Sequence, residues 1–454
     1  MKRPSLNFRH LENFNWTVLL ASLALLGIGL INLFSTSGGE LSFWNSFSRQ
    51  LIFTGFALLL LSLSLFFDYS LLKYVSWPLY FLSIVLVILV KYYGIKVNGA
   101  LRWLPLFTPD IRFQPSEIMK IAVVVALAGY LSSKPNKNGL GLMDLLFPTI
   151  LVGLPFYVIL KQPDMGTALH IALTVVPIFI LRKIRLWVLI TVVTIFMAAF
   201  SWLFFFGGLN FLLEKKVVQG YHLDRYENFL KEKDPTGKGW QITQAKNAIG
   251  SGQVNGRGYM EGSQQKHGFL PAAQTDFAFA ALAEEWGFVG AVSTLALFFI
   301  LIWSSLSAIS RCRDSFGSLL IVGMSSLIFF QMIINVAMVT DLIPVVGIPL
   351  PFISYGGTSV VINIMCVAVV LNVSMRPYKF AEAPIAENPL LWESPPQNRL
   401  VEESGSGVRR LLPHDPKEPD LHPPHRLPHF KPWLKHFATK NWVNQQLLEP
   451  EKPR

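Results

Sequence analysis

Asp276 is the residue around which chemistry could be built. It stands in the run Gln274-Thr275-Asp276-Phe277-Ala278-Phe279, where a long polar stretch (about 208–271) gives way to an almost wholly apolar segment, Phe277 to Trp303, interrupted by Glu284 and Glu285. A lone carboxylate at such a boundary stays near water while facing anything held among lipid tails. That placement suits proton transfer on a polar group carried by a lipid. The plainer alternative is a first-turn acid that complements a helix dipole.

Other polar clusters could assist it. One runs through Asn98-Gly99-Ala100-Leu101-Arg102-Trp103 to Gln114-Pro115-Ser116-Glu117-Ile118-Met119-Lys120. Pro115 fits a first helical position and Glu117 a first turn. Glu117 and Lys120 are three apart and can share a helix face, as a structural bridge or as a cation poised for a lipid phosphate. A second cluster is Gln162-Pro163-Asp164-Met165-Gly166-Thr167, in which Asp164 is placed to cap a helix and could also orient substrate. The third lies in the long polar stretch: Gln241, Gln244 and Lys246 precede a glycine-rich run that continues to Gly256, Arg257 and Gly258. Its backbone could offer N–H groups to phosphate oxygens, or simply form a flexible loop. Residues 239–249 have the spacing of an amphipathic helix. Finally, Asp341 to Ser359 carries Pro344, Pro349, Pro351, Gly356 and Gly357, with Ser354 and Thr358 among them. Irregular backbone at membrane depth is tolerated only beside protein or a water-filled cavity, so a cavity is expected there.

The elements that position these residues are membrane helices. Of 454 residues 52% are hydrophobic and only 15% charged, against about a quarter charged in soluble domains. The apolar residues fall in blocks long enough to span about 30 Å of hydrocarbon. Ten spans are predicted, at roughly 15–34, 48–67, 74–93, 114–132, 143–160, 165–181, 186–207, 274–308, 316–340 and 350–375. Period-two alternation is absent, which argues against a β-barrel. The fold class is therefore an all-α integral membrane protein. Lys73, Lys134, Lys137, Arg182, Lys183, Arg185, Arg311 and Arg313 fall in alternate short loops, so both termini are predicted to be cytoplasmic. The large loop (about 208–272) between spans seven and eight is then extracytoplasmic. Residues 1–14 form a short cytoplasmic start, 15–379 the membrane domain, and 380–454 a Pro- and His-rich stretch that reads as a disordered cytoplasmic tail.

The net charge of +11 is spread over several loops and the tail, which fits anionic membrane lipids as partners rather than nucleic acid. Cys312 and Cys366 are the only cysteines, one in a loop and one in a span, so neither a disulfide nor a thiolate metal site is expected. The tail histidines are too irregularly spaced for a zinc site. A bridge from Lys120 to Glu284 or Glu285 is one way to satisfy those buried charges.

Taken in order, Asn98–Leu104, Phe113–Lys120, Gln162–Thr167, Gln241–Gly252, Phe269–Glu285 and Leu342–Ser359 resemble the motifs of the SEDS family (shape, elongation, division and sporulation proteins), over about residues 15–376. The form Ile242-Thr243-Gln244-Ala245-Lys246 is closer to its elongation branch than to its division branch. Two positions depart from the family: Pro271-Ala272-Ala273-Gln274 lacks the usual glutamate and histidine, and Asp341 stands where glycine is usual.

The resemblance implies a glycosyltransferase of the bacterial inner membrane that polymerises lipid II on the outer face. It implies Asp276 as the catalytic acid residue of the motif, and matches Arg102, Glu117 and Lys120 to family positions. Lys246, Arg257, Gln244, Asp164, Ser354 and Thr358 complete the expected substrate-binding set. No cofactor is certain, although a divalent cation such as Mg²⁺ or Mn²⁺ could join the phosphates. The implied partners are lipid II, a class B penicillin-binding transpeptidase and the elongation cell-wall complex. The rival classes are a flippase or transporter for a lipid-linked precursor, a division-branch polymerase, and a non-catalytic scaffold.

Overall fold

Eight helices of the computed structural model are long and apolar enough to cross a bilayer. The model describes residues 12–39, 42, 45–97, 100–106, 108–134, 141–162, 164–182, 190–191, 194 and 238–376. In chain order these spans are α1 (Trp16–Thr36), α2 (Ser46–Ser64), α3 (Leu71–Tyr93), α4 (Pro115–Ser132), α5 (Leu142–Leu160), α9 (Ala278–Ser307), α10 (Ser315–Val339) and α11 (Gly357–Ser374). A shorter apolar helix, α6 (Met165–Leu181), lies between α5 and two loop helices, α7 (Lys238–Gly252) and α8 (Ser263–Lys266). The chain is an integral membrane protein. Among the described residues nine of the ten expected spans are thus helical; of the seventh, 186–207, only residues 190, 191 and 194 are described, and the first part of the long loop and the tail lie outside.

Burial sorts the helices into an inner and an outer set. In α4, α10 and α11, 78% of the span is buried, against 22% in α2 and 28% in α3. The inner helices therefore meet protein on most sides, and the outer ones turn side chains such as Phe56 and Phe81 outward, as lipid-facing helices do. Small residues permit the closest approaches. A side chain at Gly29 of α1 would strike the Phe352 carbonyl, and one at Gly166 of α6 the Val346 carbonyl. Caps are made where the sequence supplies them. Asn15 accepts from the Val18 N–H at the start of α1 and donates to the Ser304 carbonyl near the end of α9, joining two spans at one membrane face.

Two features depart from an all-helical reading. A three-stranded antiparallel sheet is formed by β1 (Ile95–Val97), β2 (Ala100–Leu106) and β3 (Thr108–Phe113), in the order β1-β2-β3. Ile95 pairs with Trp103 and Leu104 with Phe113, so β-branched and aromatic residues line the ladder as β-propensity favours. The second departure is the last span. Helix α11 starts at Gly357, not near residue 350, because the prolines before it deny the backbone N–H groups a helix needs.

Helix α9 is broken at Gly287, where φ is 66° and ψ −166°. The freed backbone groups are paired again from the long loop. The Arg257 and Gly258 N–H groups donate to the Glu284 and Glu285 carbonyls, and the Gln253 and Val254 carbonyls accept from the Phe288 and Val289 N–H groups. A helix break inside a membrane protein survives only when its groups find such partners.

Candidate active site

Asp276 closes a turn that runs straight into α9. The Thr275 and Phe277 N–H groups both donate to the Ala272 carbonyl, at 3.0 and 3.2 Å, and Ala272 adopts φ 51° to allow it. The Phe277 ring is fully buried and anchors the turn, while Asp276 is half-buried at its tip.

Other elements grip this turn through its backbone. The Ser354 hydroxyl donates to the Thr275 carbonyl at 2.6 Å, and the Tyr355 N–H to the Gln274 carbonyl at 2.7 Å. Gln274 donates to the Thr36 carbonyl at the end of α1. Asn335, from α10, donates to the Asp276 carbonyl at 2.9 Å. The carboxylate therefore projects from a frame set by α1, α10 and the irregular segment before α11.

That segment is itself held by polar side chains of neighbouring spans. Ser354 accepts from the Leu350 N–H at 2.8 Å, closing a turn that passes through Phe352 at φ 63°. From α2, Gln50 donates to the Ser354 carbonyl and accepts from the Gly356 N–H. Asn335 and Gln331 lie one helical turn apart on α10, and donate to the successive carbonyls of Ile348 and Pro349 at 2.8 and 2.9 Å. Ser354 is thus spent on positioning the Asp276 turn. Thr358 accepts from the Gln114 N–H and donates to the Arg112 carbonyl, fastening α11 to the sheet and to α4.

The charged residues arrive in pairs. Glu117 and Lys120 are buried and 2.8 Å apart, and Lys120 also donates to Gln331 at 3.4 Å. The bridge from Lys120 to Glu284 or Glu285 is not formed. Glu284 instead accepts from Ser251, Ser263 and the Gln264 N–H, and Glu285 from the Ser35 hydroxyl. These acids fasten the loop and α1 to the upper part of α9. Arg102 lies 3.6 Å from Asp164, which caps α6 by accepting from the Thr167 N–H and hydroxyl, and takes a further bond from Gln114.

Helix α7 lies against α9 through Ala245 and Ala248, both fully buried, so the helical spacing of 239–249 does mark a helix. Gln244 is half-buried on it and Lys246 exposed. Lys246 pairs at 3.0 Å with Asp341, the residue found where a glycine is usual. Asp341 has φ 65° and follows the α10 cap; the Leu342 N–H returns to the Ala337 carbonyl and the Asp341 N–H to Met338. This is a left-handed helix stop that favours glycine and tolerates aspartate.

The glycine-rich run packs closely against α9. A side chain at Gly252 or Gly256 would meet the Ala283 or Glu285 carbonyl at 2.0 or 2.1 Å. These glycines let the loop lie against the α9 break, where the Arg257 and Gly258 N–H groups are taken up, while the Gly256 N–H donates to the Gly252 carbonyl. Arg257 is exposed, with its guanidinium donating to the Ser251 carbonyl. Among the described residues no three His, Cys, Asp or Glu side chains form a metal cage.

Gln50, Gln331 and Asn335 lie in none of the motifs read from the sequence. Their signal was available: amides in the midst of apolar spans, two of them four residues apart on one face.

Comparison with known proteins agrees with this architecture. A family model described as "Cell cycle protein", for FtsW, RodA and SpoVE, matches residues 16–379. A probable peptidoglycan glycosyltransferase FtsW of Trichlorobacter lovleyi is 34% identical over 376 residues, covering 80% of this chain and 94% of that protein. The peptidoglycan glycosyltransferase MrdB of Escherichia coli is 34% identical over 364 residues, covering 79% and 92%. A solved structure described as "Structural coordination of polymerization and crosslinking by a peptidoglycan synthase complex" superposes with a TM-score of 0.67 at 26% identity, covering 81% of this chain and 99% of that one.

Proposed function

The chain belongs to the SEDS family, and from that premise we propose that this peptidoglycan glycosyltransferase polymerises lipid II at the outer face of the cytoplasmic membrane, with Asp276 as general base. The observation that carries the reading is the turn 272–277, fixed by Ser354, Tyr355, Gln274 and Asn335 so that one half-buried carboxylate stands at the head of a membrane span. Preorganisation of that kind is what a positioned base requires.

In the proposed step an acceptor sugar hydroxyl on one lipid II gives its proton to Asp276. Its oxygen bonds to the anomeric carbon of the donor glycan, and the bond from that carbon to undecaprenyl pyrophosphate breaks, with the electron pair leaving on the pyrophosphate. Direct displacement inverts the anomeric centre and needs one carboxylate; glycoside hydrolysis normally uses two.

The leaving pyrophosphate needs positive charge. Arg102 and Lys120 come with Asp164 and Glu117 beside them, so each pair is electrically balanced. The exposed Lys246–Asp341 pair is cheap to open, worth about 0–1 kcal/mol. Arg257 forms no ion pair among the described residues. Lys246 and Arg257 are therefore the cations best able to turn to phosphate, while Arg102 and Lys120 are held in their pairs.

Service in cell elongation rests on the form of the Gln244–Lys246 motif, and the alternating cationic loops support an outward-facing site. A class B transpeptidase partner is supported by the structural likeness to a complex that polymerises and crosslinks. The deciding experiment is lipid II polymerisation in detergent by wild type and Asp276→Asn, with lipid II binding measured alongside. The variant should bind and not polymerise. Normal glycan synthesis by it would refute the assignment, and a wild type that moves lipid II between compartments without polymerising it would favour a flippase.

A further inference from the structure

We propose that a cleft at the far end of α3 and α4 binds the head group of an anionic glycerophospholipid. The catalytic turn is linked to the first part of α4 indirectly: Ser354 holds the turn, and Gln331 joins the segment before α11 to Lys120. Helix α4 has 18 residues and so runs about 27 Å before it ends. At that other end a cavity of about 420 Å³ opens between the start of α3 and the end of α4, lined by Lys73, Ser76, Trp77, Gly129, Tyr130 and Lys134 among others.

Each feature of the cleft fits such a lipid. Its charge comes from two exposed lysines, Lys73 and Lys134, neither of which forms an ion pair among the described residues. Lys134 is drawn over the Tyr130 ring, 5.3 Å from its centre, which holds the ammonium at the rim. Its floor is open because residue 129 is glycine; a Cβ there would already touch the Ser76 hydroxyl at 3.4 Å. Its lower wall is aromatic. Trp77 and Tyr130 both pack on Phe147 of α5, at 5.9 and 4.6 Å between ring centres. Beyond these rings the outward surface is apolar: Phe81 of α3 and Leu146 and Ile150 of α5 are all exposed.

A cationic mouth that continues into an apolar, lipid-facing groove matches a molecule with a phosphate at one end and acyl chains at the other. Basic pockets between spans are known to take anionic head groups. A zwitterionic lipid would bring an ammonium group toward two lysines. A free phosphate would gain nothing from the aromatic wall.

The test uses the full-length chain purified in detergent, with native mass spectrometry to count bound phosphatidylglycerol against phosphatidylethanolamine. Wild type should prefer phosphatidylglycerol by about tenfold. Lys73→Glu/Lys134→Glu should abolish the preference, Lys73→Arg/Lys134→Arg should keep it, and Lys91→Glu, at the opposite end of α3, should leave it unchanged. Melting curves establish that each variant is folded; both cleft lysines are exposed, so charge reversal does not disturb the core. Equal binding of the two lipids by wild type, an undiminished preference in the charge-reversed protein, or displacement of phosphatidylglycerol by millimolar inorganic phosphate would each overturn the proposal.

Discussion

The side-chain amide nitrogen of Asn335 lies 2.9 Å from the carbonyl oxygen of Asp276 and 2.8 Å from that of Ile348. One buried donor thus ties the turn carrying the acid to the irregular segment before α11. One helical turn away, Gln331 holds the next carbonyl of that segment and the ammonium of Lys120. Acid and cation are therefore set by the same face of α10.

Replacing Asn335 by leucine keeps its bulk and removes both bonds. Each carbonyl left without a partner costs about 1–3 kcal/mol, and a slight displacement of the proposed base can cost about 100-fold in rate. Asn335→Leu is expected to lower kcat by about 10- to 100-fold with little change in KM. Steady-state polymerisation on protein matched for folded fraction checks this; an unaltered kcat would remove Asn335 from the positioning frame.

Glu117 and Lys120 can be separated into structural and chemical roles. Removing one member of a buried pair leaves a lone charge and costs about 3–5 kcal/mol, whereas replacing both with neutral groups is often tolerated. Glu117→Gln and Lys120→Met should each lower the melting temperature sharply, and the double variant should recover much of it. Polymerisation by the double variant is the second readout. Restored turnover would leave the pair a structural wall, and lost turnover in a refolded protein would assign Lys120 to the chemistry.

The glycines of the long loop should differ in their tolerance. Gly256 has φ 82° and an added Cβ would lie 2.1 Å from the Glu285 carbonyl, whereas nothing lies within 4 Å of one at Gly250. Gly256→Ala is expected to destabilise by more than about 2 kcal/mol. Gly250→Ala, inside α7, should be neutral or gain about 0.5–1 kcal/mol. Thermal unfolding of the two variants side by side decides whether the run is packing or free loop.

Cys312 provides a pH-dependent reporter. Burial chiefly, and then nearby Asp314, push its thiol from 9.0 up to about 11. The thiolate is the reactive form, so at pH 8 maleimide labelling should run about 100-fold slower than at a thiol of ordinary acidity. The rate should climb about tenfold per pH unit until pH approaches 11. The sign for stability follows: the unfolded thiol ionises first, so this contribution is intact below about 9 and is lost as pH rises toward 11. Labelling of the native and denatured protein across that range checks it, and a plateau near pH 9 would contradict it.

Hydropathy alone marked the spans, and family motifs marked Asp276, Glu117, Lys120, Arg102 and Asp164. These were readable because each depends on neighbours in sequence: a run of apolar residues, a cap three residues from its N–H, an acid and a lysine on one helical face. The small sheet at 95–113 escaped because a loop flanked by strong helix signals draws no strand reading. Its ladder pairs residues whose β-propensity acts only once the ends of α3 and α4 bring the strands together.

The glycine-rich run shows most sharply where sequence stops. Gly252, Gly256 and Gly258 can cradle a phosphate or admit close backbone packing, and both uses require the same absence of a side chain. Only the position of α9, broken at Gly287 with unpaired groups to satisfy, selects the second. Asp341 is similar: its type departs from the usual glycine, and its left-handed backbone with Lys246 beside it explains both the preference and the exception. Sequence by itself determined the membrane class and the order of the spans and singled out the candidate acid, because apolar length and local motif spacing are properties of the chain. Which carbonyl each buried amide would hold, and that Arg102 would meet Asp164 and Lys246 Asp341, was decided only by tertiary packing, because those partners lie tens of residues apart and meet only where the elements cross.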